Sequence, residues 1–409
     1  MSASRKWFIV ALLSLGMVIA YIDRFNLSVV LALEEFKRLF GLTDAHRGTL
    51  NSAFFWTYAL LQIPAGWLVD RRGCKLPYAL GFLFWCLVSA LCGAVNAVWQ
   101  ILTLRLLLGV GESVVTPASM RWIRFNFPES RRGLAVGLYM TGTKAGPAIA
   151  GPIVVALIQA FGWRWMFVIL GLGGLVWLVF WLLLAKDDDR QLEREQARTS
   201  GAAPVPFARV LANPVMWGII IATFGYNYFV YFSLTWLPSY LKERRGLSLQ
   251  DMGWYTMFSF GGMAVMAAVA GWAADVIIAR GRDPIRVRKA FTIAGFLLAA
   301  TEGIGARSDS QTVALFFAVF SLSGLGLATA NYWALTQSLF PGAAIGRIVG
   351  VQNCASNVAG IVAPMVTGWL KQATGEYEAP MQAVWLLLLI GAAMYVFVVR
   401  ARYAPISRQ

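Results

Sequence analysis

The chain has 409 residues, 58% of them hydrophobic and only 13% charged, with a mean hydropathy of +0.63. A soluble globular chain carries nearer a quarter charged residues, so this composition excludes a water-soluble protein and requires an integral membrane protein in a lipid bilayer. The formal charge of +15 does not imply nucleic acid, because the basic residues sit in loops between apolar segments, not on one face or in one tail.

Twelve segments are long enough to span about 30 Å of hydrocarbon. The first six run roughly from Trp7 to Val30, Arg47 to Val69, Leu76 to Val95, Trp99 to Trp122, Arg132 to Phe161 and Trp165 to Leu184. Arg5 and Lys6 before an apolar run resemble a secretion signal, but Asp23 and Arg24 interrupt the run and no small-residue cleavage site follows, so a retained first helix is expected. Within it, YIDRFNL puts Tyr21, Arg24 and Ser28 along one face and turns Asp23 about 100° away, free to address a different helix. His46, the only histidine, falls at the mouth of the second helix, where a capping or surface role is expected. Tyr58 and Gln62 follow one turn apart, ahead of Pro64.

Between the second and third segments stands GWLVDRRGCK, Gly66 to Lys75. Gly66 permits close helix approach, and Asp70 can bind a neighbouring helix N-terminus or Arg71. In the fourth segment Arg105 and Glu112 stand in an otherwise apolar run, ILTLRLLLGVGESVVTP. Their spacing is about two helical turns, which puts both on one face roughly 10 Å apart. An ionised side chain in hydrocarbon costs from a few to more than about ten kcal/mol, so such residues normally face a polar cavity; the other reading is a structural ion pair. Lys144, in the fifth segment, either anchors an anion or snorkels. Cys74, Cys86, Cys92 and Cys354 show no CxxC spacing and are read as packing residues, without a disulfide or metal.

A polar stretch from 186 to 212, with Ser200, Gly201, Pro204 and Pro206, reads as a linker between a six-helix bundle at 1–185 and another at 213–409. The second six segments run roughly from Pro214 to Leu241, Asp251 to Ala279, Lys289 to Ile304, Thr312 to Leu339, Ile345 to Leu370 and Met381 to Val399. At an offset of 205 residues Tyr21 pairs with Tyr226, Gly48 with Gly253 and Phe55 with Phe260, while Ala65, Gly66, Trp67 and Asp70 pair with Ala270, Gly271, Trp272 and Asp275. Later the register drifts: Gly109-x-Gly111 recurs as Gly324-x-Gly326. Two parallel repeats of six helices are the plan of secondary transporters, with one site near the midplane.

The buried charges belong to the first half alone. At the same offset Asp23 and Arg24 face Tyr228 and Phe229, so the second half offers aromatic and amide groups: Tyr226, Asn227, Tyr228, Asn331, Trp333, Asn353 and Asn357. Glu302, late in the ninth segment, is expected at the outer interface, without a role. Arg71, Arg72 and Lys75, then Arg121, Arg124, Arg131 and Arg132, then Arg280 to Lys289, fall in alternate loops. Such a bias places both termini in the cytoplasm.

GWLVDRRGCK, with its weaker copy GWAADVIIARGR from Gly271, resembles the signature of the major facilitator superfamily. YIDRFNL, Arg105-x3-Gly109-x2-Glu112 and FNFPESRRGLAVGLY are similar to its anion:cation symporter family, in particular the branch of bacterial galactonate transporters, over nearly the full chain. The resemblance implies an all-α membrane protein of 12 helices in two pseudo-symmetric bundles. It further implies proton-coupled uptake of a small organic anion, such as a hexonate, a uronate or another monocarboxylate, across a bacterial inner membrane. Asp23 and Glu112 would exchange protons; Tyr21, Arg24, Tyr58, Arg105, Trp333 and Asn353 would contact the anion, with Lys144 as a possible addition. Gly66, Asp70, Arg71 and Asp275 would form gating latches. No cofactor beyond a proton gradient is implied, and a monomer is expected. The stretch GLYMTGTKAGPAIAGP also resembles the fifth-helix motif of drug:proton antiporters, which keeps an exporter as the alternative. An enzyme is not expected, since no nucleotide-binding glycine loop or metal-ligand spacing is present.

Overall fold

In the computed structural model, the described residues are 3–127, 129–186, 212–340 and 345–400. All regular elements among them are helical. The chain divides into two compact units, Met1–Gly201 with Leu247–Trp254, and Ala202–Gly246 with Tyr255–Gln409. The stretch read as a linker lies, except for Lys186 and Ala212, outside the described residues.

The first unit holds α1 (Ala3–Val30), a short α2 (Glu34–Phe40), α3 (Asp44–Arg72), α4 (Lys75–Leu91), α5 (Val98–Glu112), α6 (Val115–Asn126), α7 (Glu129–Gly173) and α8 (Leu175–Leu184). Thr43 and His46 form a reciprocal capping box that starts α3, which is the capping role expected of His46. The fourth segment is split into α5 and α6 directly after Glu112. Pro117 explains the break, because it has no N–H for the carbonyl of Ser113 and its ring crowds that turn. Inside α7 the chain reverses at Gly162, whose φ of 79° and ψ of 165° are open only to glycine, so two passes follow one another. Six passes result: α1, α3, α4, α5 with α6, α7 up to Gly162, and the remainder through α8.

Close backbone approach sets this packing. A Cβ on Gly146 of α7 would lie 2.5 Å from Tyr21 Cβ and 3.0 Å from Val18 O on α1. On α5, a Cβ on Gly109 would collide with the Phe54 carbonyl of α3, and Thr57 Oγ1 of α3 donates to Leu106 O at 2.6 Å. Small residues thus bring α1, α3, α5 and α7 together, as expected where lipid gives helices no hydrophobic reason to associate.

The second unit holds α9 (Pro214–Ser239), most of α10 (Leu249–Ala279), α11 (Pro284–Ala299), α12 (Glu302–Arg307), α13 (Gln311–Leu339), α14 (Ile345–Thr374) and α15 (Glu378–Ala393). Its glycine pair repeats the first unit's job with the order exchanged. Gly109 meets α3 and Gly111 meets Trp85 on α4, whereas Gly326 meets Met263 on α10 and Gly324 meets Leu298 on α11. The ninth segment is not continuous to Ile304: α11 ends at Ala299 and α12 begins at Glu302. Glu302 is buried, not interfacial, and accepts a hydrogen bond from Ser321 Oγ at 2.5 Å. The cost of leaving a carboxyl unsatisfied in an apolar helix pair explains why it turns inward to that hydroxyl.

Candidate functional site

The intramembrane charges Asp23, Arg24, Arg105 and Glu112 are all buried in the first unit and form two linked groups. In the first, Arg24 Nε donates to Glu112 Oε2 at 2.8 Å, joining α1 to the end of α5. The Arg24 guanidinium also lies over the rings of Tyr21, Phe54 and Tyr58, at 4.7, 4.6 and 4.6 Å. A desolvated cation over an aromatic face gains about 2 kcal/mol, so these rings offset part of the cost of burying the charge. Tyr58 is held in turn by stacking on Phe54, 5.1 Å between centroids, and by a hydroxyl contact with Thr116 at 3.4 Å. Glu112 Oε1 is enclosed and has no hydrogen-bond partner among the described residues.

In the second group, the Asp23 carboxylate accepts from Ser89 Oγ at 2.8 Å, Trp85 Nε1 at 3.0 Å and Asn26 Nδ2 at 3.3 Å. Arg105 donates to the backbone carbonyl of Asp23 at 2.9 Å and to Asn26 Oδ1 at 2.8 Å. Arg24 thus pairs directly with an acid, whereas Arg105 addresses Asp23 through its main chain and through Asn26. The expected divergence of Asp23 and Arg24 is present: one turns to α4, the other to α5.

Several partners lay outside the sequence reading. Trp85 and Ser89 stand one turn apart on an apolar helix, and Asn26 stands three residues from Asp23. Both spacings place a polar group on a shared helix face and are the signals that could have found them. Phe54, the third ring around Arg24, precedes Tyr58 by one turn.

Lys144 is partly buried on α7, two residues from the close approach of Gly146 to Tyr21. Trp333 and Asn353 are partly exposed on α13 and α14 of the second unit, and Trp333 packs on Tyr332 with centroids 5.1 Å apart. Other members of the aromatic and amide set are turned into that unit's own packing. Tyr226 contacts Thr329 Oγ1 at 2.7 Å, and Asn227 and Asn331 donate to helix carbonyls of Thr223 and Leu327.

Among the described residues Asp70 pairs with Arg121 Nη1 of α6 at 2.8 Å, not with Arg71. Arg71, one residue further round α3, instead lies over the Trp67 ring at 4.3 Å. Gly66 makes no close approach: a Cβ there would meet nothing within 4 Å, because Ala65 and Val69 carry the buried face of that turn. In the second unit Asp275 pairs with Arg288 at 2.8 Å.

The chain matches the Major Facilitator Superfamily profile over residues 13–364. It is 28% identical to the D-galactonate transporter of Escherichia coli O6:H1 over 97% of this chain and 96% of that protein. It is 29% identical to the hexuronate transporter of Bacillus subtilis over 92% and 91%. A bacterial homologue of the human lysosomal transporter Spinster shares the fold, with a TM-score of 0.81 at 18% identity and 98% coverage of both chains.

Proposed function

The chain belongs to the major facilitator superfamily, and from that premise we propose that this multi-pass membrane transporter imports a small organic anion, a hexonate or hexuronate, together with protons. The observation that carries the reading is the Arg24–Glu112 pair inside a cage of three rings. Relatives named for galactonate and hexuronate support the cargo class.

Ionised Glu112 occupies the Arg24 guanidinium. A proton on Glu112 removes the negative charge paired with the guanidinium and weakens its hold, so that Arg24 can take a carboxylate bidentately instead. The rings keep Arg24 solvated by π-faces during the exchange. Proton and anion then favour the same state, and their movements are coupled. Arg105, Lys144, Tyr21 and Tyr58 are further contacts for the anion in this scheme, with Trp333 and Asn353 contributed by the second unit. The Asp70–Arg121 and Asp275–Arg288 pairs act as latches, and alternating access moves the two units around the site. The positive loops put both termini on the cytoplasmic side of the inner membrane, and the transporter works as a monomer.

Proton-driven export rests on the glycine pattern of the fifth pass. Gly142 and Gly146 are engaged in packing α7 on α1, so no observation favours that reading. The test is internal pH in proteoliposomes: external D-galactonate or a hexuronate should acidify the lumen. Absence of acidification with every sugar acid refutes the proposal.

A further inference from the structure

The family resemblance implies the same task for the two acids of the first unit, but their surroundings differ. Asp23 has donors on both oxygens: Ser89 Oγ and Asn26 Nδ2 on Oδ1, and Trp85 Nε1 on Oδ2. An indole N–H and an amide NH2 can only donate. A neutral Asp23 would carry its own O–H into that ring of donors, with the Ser89 hydroxyl as its one possible acceptor there. Asn26 is fixed in this orientation, since its Oδ1 accepts from Arg105 Nη2 at 2.8 Å. Arg105 also holds the Asp23 carbonyl, so its charge stands beside the carboxylate whichever way the acid titrates.

Glu112 is the opposite case. One oxygen accepts from Arg24, and the other is buried with no hydrogen-bond partner among the described residues. The titratable groups that interact with it are Tyr21 and Arg24 of α1, Tyr78 and Cys86 of α4 and Arg105 of its own helix, with Asp23 beyond them. Arg24 is the one cation in direct contact. Protonation at Oε1 replaces a buried, unsatisfied charge by a neutral group and leaves Oε2 able to accept. Hydrogen bonds to the charged form favour it, and their absence favours the neutral form.

The geometry points to a division of labour: Glu112 alone takes up and releases the transported proton, while Asp23 stays ionised and serves, through Asn26, as the positioning residue for Arg105. Ser89 and Trp85 are the groups that hold Asp23 to that task. This inference rests on the proton-coupled reading above and restricts it to one proton per anion. For a monocarboxylate the cycle is then electroneutral.

Infrared difference spectroscopy of the purified full chain between about pH 5.5 and pH 9 tests the assignment without any substrate, since exposed carboxylates titrate below that window. The C=O stretch of a neutral carboxylic acid should appear on acidification, shift when the protein carries carbon-13 in its glutamate carboxyls, and lose a component in Glu112→Gln, while any glutamate band that remains vanishes in Glu302→Gln, the other buried glutamate. It should not shift with labelled aspartate, and Ser89→Ala should add an aspartate-sensitive band that the wild type lacks. An aspartate-sensitive band in the wild type overturns the inference, and because labelling leaves the chain unaltered, a variant that fails to fold cannot obscure the result. In proteoliposomes with potassium and valinomycin setting the voltage, D-galactonate uptake should be indifferent to an inside-negative potential. Stimulation by that potential means more than one proton and also overturns it. Failure of D-galactonate to move protons at all counts against the transport proposal, while the spectra still decide which acid titrates.

Discussion

Replacing Glu112 by glutamine separates binding from coupling. The side chain keeps its size and an oxygen for Arg24 Nε, now 2.8 Å away, but loses the charge that assists the bond. A bond from the charged guanidinium to an amide oxygen persists, but the ion pair is lost, so the competitor's hold on Arg24 weakens by about 1–2 kcal/mol, within the spread of about 1.5–3 kcal/mol for hydrogen bonds to charged groups. That difference converts to about five- to thirty-fold tighter anion binding above neutral pH. The guanidinium stays charged, as arginine does not deprotonate in proteins, and three rings within 4.7 Å support it. Wild-type affinity should rise as pH falls, since protonation removes the same competitor, and Glu112→Gln should bind equally well across that range. Ligand-induced thermal shift with D-galactonate from about pH 5.5 to pH 9 measures this, and counterflow in proteoliposomes reports exchange. Exchange should persist while gradient-driven accumulation is lost. A variant that binds more weakly than wild type, or still accumulates anion against its gradient, refutes the reasoning.

Arg24→Lys should reduce anion binding severely, because an ammonium presents no bidentate fork and stacks less well on Tyr21, Phe54 and Tyr58; near-normal thermal shifts would argue that the anion sits elsewhere. Gly146→Ala places a methyl 2.5 Å from Tyr21 Cβ and 3.0 Å from Val18 O, so detergent-solubilised protein should lose about 1–3 kcal/mol and melt several degrees lower; an unchanged Tm contradicts that helix contact. Asp70→Asn should change Tm only a little, since its side chain is 70% exposed and pairs with so exposed a member contribute at most about 1 kcal/mol. Its transport rate should change if the pair is a latch, and equal rates of uptake would remove that role. Lys144→Ala should weaken affinity for sugar acids; undiminished affinity favours the snorkelling reading.

The parts of this arrangement that follow from helix periodicity were legible in the sequence. Asp23 and Arg24 are adjacent, so they had to diverge, and two turns between Arg105 and Glu112 put both toward α1. The repeat announced the paired glycines of α5 and α13, although only backbone contacts reveal that the two members exchange neighbours. What the sequence left open depends on which helix crosses which. The one-turn spacing of Trp85 and Ser89 marks a polar face on α4 but not the helix whose carboxylate it meets, and Arg121 is no closer to Asp70 in sequence than several other basic residues. Gly66 was misread for the same reason: glycine permits contact, but the neighbouring helix must be there to make it.

The ring enclosure of Arg24 bears on selectivity among solutes. Arginine keeps its charge in proteins and aromatic quadrupoles offset part of the cost of burying it, so in the proposed scheme the cation persists whether or not a proton is aboard, paired with Glu112 when none is. An uncharged sugar would have to displace Glu112 with hydroxyl groups alone, a losing exchange. In the proposed scheme, discrimination between sugar acids and their parent sugars would therefore come from one permanently charged side chain.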